Sequence, residues 1–284
     1  MEKTAGIDVS RWQGEIDWTK VAAAGYRFAV IRATVGDQYT DPRFYVNWGR
    51  AKDAGLLLSA YHVLKPGTTP ESQLAYFMGV VGERKADFPL VLDIEVADGL
   101  SSQKVTDSVR TSLQRLTELE GRKPIVYSAR WFWSANVRPS AEWAAYDLWV
   151  ANYGVSEPTL FDSWKTWRFW QYSEKGKVPG VQSTSTDLNW FAGSYDDLLA
   201  YSGQALQPEP EPQPQPQVGL RAKVTISKLN VRSGPGMNYP DIGDLHAGDV
   251  VTVLSLGGKD VWVEFEPGKW AALCYQGERY MKIE

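Results

Sequence analysis

The most chemically suggestive stretch of the chain is an apolar run broken at alternate positions by carboxylates, Pro89-Leu90-Val91-Leu92-Asp93-Ile94-Glu95-Val96-Ala97-Asp98. In an extended strand, Leu90, Leu92, Ile94 and Val96 share one face, while Val91, Asp93 and Glu95 share the other. Apolar character on both faces ahead of the acids predicts a strand covered on both sides, as in a parallel sheet flanked by helices. Carboxylates entering such a place must share protons, bind a metal or do chemistry, because an isolated buried carboxylate is costly. The same residues also fit a strand end whose acids stand in solvent and cap the next helix.

Two other strand-like segments carry acids in comparable places: Asp8 in Gly6-Ile7-Asp8-Val9-Ser10, and Asp187 in Thr186-Asp187-Leu188-Asn189-Trp190. First and last strands of a closed barrel are neighbours, which would set Asp8 beside Asp187 and join both to Asp93 and Glu95 at one mouth. Crowded carboxylates drive one another's pKa apart, so that one keeps its proton while others stay ionised. Glycoside hydrolysis requires that combination: an acid for the leaving oxygen and negative charge near the developing cation. Tyr61, Tyr127, Trp149, Tyr153 and Gln171 fall on the inward faces of the expected strands, and Arg32 adds a cation. Together they make a sugar groove, although any single ring among them fits plain barrel filling equally well. Two other uses of the acids stay open at this level: a site for Mg²⁺ or Ca²⁺, and a sugar-binding module that does not catalyse.

Elements able to position these groups alternate through the first two hundred residues. Strands are expected at 6–10, 27–34, 56–64, 90–96, 125–128, 148–153, 168–172 and 186–190. Helices are expected near 19–24, 41–54, 69–84 and 101–120. The last repeats Val105, Val109, Leu113 and Leu116 at helical spacing and stops at Gly121. Later helices are short and poorly marked. Such alternation predicts an α/β fold with a parallel sheet, and eight strands fit a barrel whose function sits at the strands' carboxyl ends.

The pattern ends where proline takes every second position from Pro208 to Pro216, a polyproline spacer of roughly 28 Å at about 3.1 Å per residue. Beyond it, short β runs alternate with turn signals such as Gly234-Pro235-Gly236, Gly257-Gly258 and Pro267-Gly268, which predicts a small antiparallel barrel. The expected organisation is therefore a catalytic domain at 1–203, a linker at 204–217 and an all-β domain at 218–284. With 284 residues, 43% of them hydrophobic, and a net charge of −4, the chain has ample core and no electrostatic reason to seek nucleic acid or anionic lipid. The single cysteine forms no intrachain disulfide, and the two histidines, His62 and His246, lie too far apart in sequence to suggest a zinc site. The start runs straight into a strand without a signal-peptide core, and no stretch reads as a membrane span.

Several motifs carry a resemblance. Residues 6–14 (Gly-Ile-Asp-Val-Ser-Arg-Trp-Gln-Gly) are similar to the opening of glycoside hydrolase family 25, the Chalaropsis-type lysozymes. Ile31-Arg32-Ala33-Thr34, Ala60-Tyr61-His62, Leu92-Asp93-Ile94-Glu95, Leu148-Trp149-Val150-Ala151-Asn152-Tyr153, Trp170-Gln171-Tyr172 and Asp187-Leu188-Asn189 continue it in order over about residues 5–200. The chain departs from the family's frequent pattern at Val35 and Val63. The resemblance implies a modified, incomplete (β/α)-barrel that cleaves the β-1,4 bond after N-acetylmuramic acid in peptidoglycan. It also implies Glu95 as general acid, Asp93 positioning or polarising the 2-acetamido group, Asp8 and Asp187 completing the acidic cluster, and Tyr127 bonding near the acetamide. Retention with substrate assistance is expected, while the Asp93–Glu95 spacing alone leaves inversion open. Residues 221–284 resemble bacterial SH3-type domains through Leu229-Asn230-Val231-Arg232-Ser233-Gly234-Pro235-Gly236, and such domains often bind cell-wall peptides. The whole looks like a phage or prophage endolysin: a monomer without cofactor or metal, with peptidoglycan as its partner, made in the host cytoplasm and released to the wall through a membrane hole made by another protein.

Overall fold

The computed structural model describes residues 2–203, 220–257 and 261–283. The expected proline linker at 204–217 lies outside these residues, as does Gly258 of the expected Gly257-Gly258 turn. Chain contacts divide the molecule into two units, Met1–Gln207 and Pro208–Glu284.

The first unit is a barrel. Its strands are β1 (Lys3–Val9), β2 (Phe28–Val35), a short β3 (Tyr39–Thr40), β4 (Leu57–Val63), β5 (Val91–Asp93), β6 (Ile125–Ala129), β7 (Leu148–Ala151), β8 (Phe169–Gly176) and β9 (Thr186–Ala192). Around the ring the order is β1-β2-β4-β5-β6-β7-β8-β9 and back to β1, with β3 hanging from β2. Helices α1 (Trp18–Ala23), α2 (Phe44–Asp53), α3 (Pro70–Val81), α4 (Ser102–Glu120) and α5 (Arg130–Asn136) lie between strands, and α6 (Tyr195–Tyr201) follows the last one.

The (β/α)-barrel is modified and incomplete as expected: its ring of strands closes, and what is missing is part of the helical layer. No α-helix separates β7 from β8, or β8 from β9. One expectation needs correction: the sheet is not wholly parallel, since β9 runs antiparallel to both β8 and β1. A parallel return needs a crossover of a dozen or more residues, usually a helix, and the connection between Gly176 and Thr186 is too short to supply one.

Alternation along each strand separates two cores. Leu92, Ile94, Val105, Val109, Leu113 and Leu116 belong to the layer between strands and helices. Phe28, Phe88, Val91, Ile125, Phe169 and Phe191 fill the barrel's interior. Phe169 packs with Phe28, Phe88 and Phe191 at ring separations of 5.3 Å, so the amino-end half of the barrel is closed by aromatic rings. Gly6 of β1 faces this plug, where a Cβ would collide with the Phe28 ring. The α4 helix forms where its periodicity predicts, with Ser101 accepting from the Lys104 amide and Gly121 adopting φ 75° at its end.

The described part of the second unit is all-β and antiparallel throughout. Alternate residues of its short strands, among them Ala222, Val224, Leu229, Val263, Ala271 and Met281, form a separate small core.

Candidate active site

Moving along each barrel strand toward its carboxyl end, the interior changes from rings to polar groups. The inward series is Gly6 then Asp8 on β1, Phe28 then Arg32 on β2, Leu57 then Tyr61 on β4, Val91 then Asp93 on β5, and Phe169 then Gln171 on β8. A cavity of about 310 Å³ opens there, lined by all ten residues singled out from the sequence: Asp8, Arg32, Tyr61, Asp93, Glu95, Tyr127, Trp149, Tyr153, Gln171 and Asp187.

The strand expected at 90–96 ends at Asp93. Ile94 still donates its amide to the Tyr127 carbonyl at 2.9 Å, and Glu95 follows past the last ladder pair. Asp93 therefore faces inward at 5% exposure, whereas Glu95 stands at the solvent-facing mouth of the cavity. Asp8 pairs with Asp187 across β1 and β9 as direct register partners, which brings the two carboxylates together.

A hydrogen-bonded chain fixes Asp8. Its Oδ1 accepts from Gln171 Nε2 at 2.9 Å and from Asn189 Nδ2 at 2.8 Å. Trp149 Nε1 donates to Asn189 Oδ1 at 2.8 Å. Gln171 Oε1 in turn accepts from the hydroxyls of Tyr127 at 2.8 Å and Tyr153 at 2.6 Å. Arg32 is held by Asp41, which accepts from its Nε at 2.8 Å and its terminal nitrogen at 2.7 Å, and also from the amides of Arg11 and Arg43. Asp93 Oδ1 is buried with no hydrogen-bond partner among the described residues.

Burial is the first cause of every carboxylate shift in this cavity, and charge crowding adds to it. Asp93 is pushed well above the ordinary carboxylate range by burial and then by the charges of Glu95 and Asp8. Glu95 is raised by burial and the Asp8 charge, with Arg32 opposing. Asp187 is pushed up to about 8 by burial and the adjacent Asp8. Burial also raises Asp8, against the hydrogen bonds from Asn189 and Gln171. With Asp8 Oδ1 occupied by two N–H donors, the proton of this pair belongs on Asp187. Burial foremost keeps the phenols of Tyr61 and Tyr127 protonated, hence able to donate. The cavity thus offers an acid of raised pKa at its mouth, further carboxylates below it and aromatic walls.

Sequence reasoning missed several members. Asn189 is fully buried and bridges Trp149 to Asp8. Its spacing of two from Asp187 on the same strand was the available signal. Glu174, Trp12, Ser10 and Gln13 also line the cavity. Nothing in the sequence ties Asp41 to Arg32, a contact made by the turn leading into α2. The departures at Val35 and Val63 are not among the lining residues.

Residues 7–181 match the family profile described as Glycosyl hydrolases family 25. The chain belongs to this family. Over 206 residues the family 25 chain is 38% identical to Lysozyme M1 of Streptomyces globisporus, covering 69% of this chain and 70% of that protein. It is also 38% identical over 201 residues to the uncharacterized protein YegX of Escherichia coli K12, covering 69% and 72% respectively. The crystal structure of the bacterial lysozyme from Streptomyces coelicolor superposes with a TM-score of 0.68 at 36% identity, covering 72% of this chain and 99% of that one. Residues 227–269 match the bacterial SH3 domain. This family 25 chain is a glycoside hydrolase with a bacterial SH3 domain following its barrel.

Proposed function

We propose that the chain is a muramidase that hydrolyses the β-1,4 bond between N-acetylmuramic acid and N-acetylglucosamine in peptidoglycan, with Glu95 as proton donor. The observation that carries this reading is the division of labour among the four acids of one cavity. Glu95 is solvent-accessible with a raised pKa, while Asp8, Asp93 and Asp187 sit within the walls. An acid that keeps its proton at the mouth delivers it to the glycosidic oxygen as the bond to the anomeric carbon breaks. Its relatives named as lysozymes support the substrate class.

Asp93 Oδ1, buried and unpartnered, is an acceptor suited to an arriving amide N–H. A 2-acetamido group that donates there favours the ionised carboxylate and gains density on its carbonyl oxygen, which attacks the anomeric carbon as the leaving oxygen takes the Glu95 proton. Water, losing a proton to the Glu95 carboxylate, then opens the cyclic intermediate with net retention. Tyr127 and Tyr153 stand within the same cavity, tied to Gln171, and would fix the acetamide's surroundings. Asp8, left ionised because Asp187 carries the proton of the pair, supplies the negative field that favours the cationic transition state.

The bacterial SH3 domain supports action on the wall itself, and barrel plus wall-targeting domain is an arrangement suited to an endolysin. That role predicts lysis from within only when a hole-forming membrane protein is co-expressed. The test of the chemistry is Glu95→Gln. Reducing-end release from purified peptidoglycan should fall about a hundred- to ten-thousand-fold with thermal unfolding unchanged. Near-normal release by this variant would remove Glu95 from the role.

A further inference from the structure

Among the described residues only two tryptophans are exposed, Trp12 at 67% and Trp131 at 74%. Both follow directly on the carboxyl ends of barrel strands. Trp12 lies in the 3-10 turn Arg11–Gln13 after β1, and Trp131 in the first turn of α5 after β6. In the ring order, β6 lies four strands from β1 in either direction, so the segments that carry the two tryptophans leave the barrel at opposite sides of its mouth. Asp8 of β1 and Tyr127 of β6 line the cavity, together with Trp12 and with Glu95 beyond the end of β5.

Each ring is mounted on a rigid support. The Ser10 amide donates to Gln13 Oε1 at 2.8 Å and fixes the turn that carries Trp12. The Arg11 guanidinium stacks 4.3 Å from the Trp12 ring centroid and braces it while leaving most of it open. Trp131 is followed by the buried Phe132 and Trp133, and Trp133 Nε1 donates to Asp162 at 2.9 Å, which pins α5. Large apolar rings held in water on fixed elements are poor for solubility and well suited to stack against the apolar faces of sugar rings.

We propose that Trp12 and Trp131 are the two end platforms of an extended groove, across which a glycan strand lies along the β1–β6 diameter with its scissile bond above Glu95. This assignment rests on the muramidase reading above and adds to it a preference for long strands. On this assignment a long strand stacks on both rings at once, and a disaccharide seated over the acids gains less from the rims.

Binding without cleavage separates the two readings. In a Glu95→Gln background, titration calorimetry with peptide-free peptidoglycan glycan strands should show about fivefold weaker binding for Trp12→Ala and for Trp131→Ala, against a smaller loss for the free disaccharide with Trp131→Ala. Trp131→Phe should recover most of the affinity, and unfolding temperatures should stay unchanged because both rings are exposed. Affinity for long strands untouched by Trp131→Ala, or an equal loss at both lengths, would overturn the groove. No glycan binding by the Glu95→Gln parent, together with no reducing-end release by the wild-type chain, would instead overturn the muramidase reading along with it.

Discussion

The Glu95 carboxyl is raised first by burial and then by the Asp8 charge, against the Arg32 guanidinium, while it stays open to the cavity. The same crowding makes stability depend on pH. Asp187 has its pKa raised from 3.8 to about 8, so between those values the folded chain holds more protons than the unfolded one. That contribution is complete below 3.8 and is lost as pH rises through about 8. Buried His62 works in the opposite sense. Burial lowers it from 6.5 to about 4, so its contribution is complete above 6.5 and lost as pH falls toward 4. Of these two groups, only Asp187 changes its charge between pH 6.5 and 8, and the melting temperature is expected to fall with rising pH. Asp187→Asn should flatten that slope in calorimetric scans, and an unaltered slope would contradict the assignment of the extra proton. Most of the ten cavity residues were legible because strand alternation places them on the inward face, while Glu95 and Tyr153 lie just past the ends of their strands. Asn189 and Asp41 were not, because their partners, Asp8 and Arg32, are chosen by neighbouring strands and turns rather than by local pattern.

At the scale of elements, the barrel works as a plug of rings below and a polar mouth above. Gly6 marks where the plug is tightest, since its strand approaches Phe28 with no room for a Cβ. Gly6→Ala should destabilise the chain by about 1–3 kcal/mol through overpacking, read as a lowered unfolding temperature and denaturant midpoint. A neutral outcome would mean that the Phe28–Phe169 packing can yield. Helix α4 was legible in full because an amphipathic stripe, a serine cap and a terminal glycine agree locally. The reversal of β9 was not. An isolated strand carries no mark of its direction, and only the length of the preceding connection and the two neighbours waiting for it decide that.

At the scale of the whole molecule, each unit has cores of its own, two in the barrel unit and one in the SH3 domain. A chain cut to residues 1–203 is therefore expected to fold and to release reducing ends from soluble glycan at a rate near that of the full chain. Its clearing of intact Gram-positive walls should slow, because the effective concentration supplied by a second, wall-bound unit is lost. Turbidity loss measured beside reducing-end release checks this, and equal clearing by both forms would remove the targeting role of the second unit. The barrel's four acids belong to strands β1 and β9 and to the end of β5, far apart in the chain, so the proposed chemistry requires the whole barrel to be folded.

By itself the sequence determined the strand alternation, the inward face of each strand, the proline break and the family, because those depend on local periodicity and short motifs. Tertiary structure alone decided that the strand ring closes, that β9 is reversed, which amide holds Asp8, and which acid keeps solvent contact. Those outcomes follow from burial and from pairing between segments distant in sequence, where the free energy of a charge depends on neighbours that local pattern does not name.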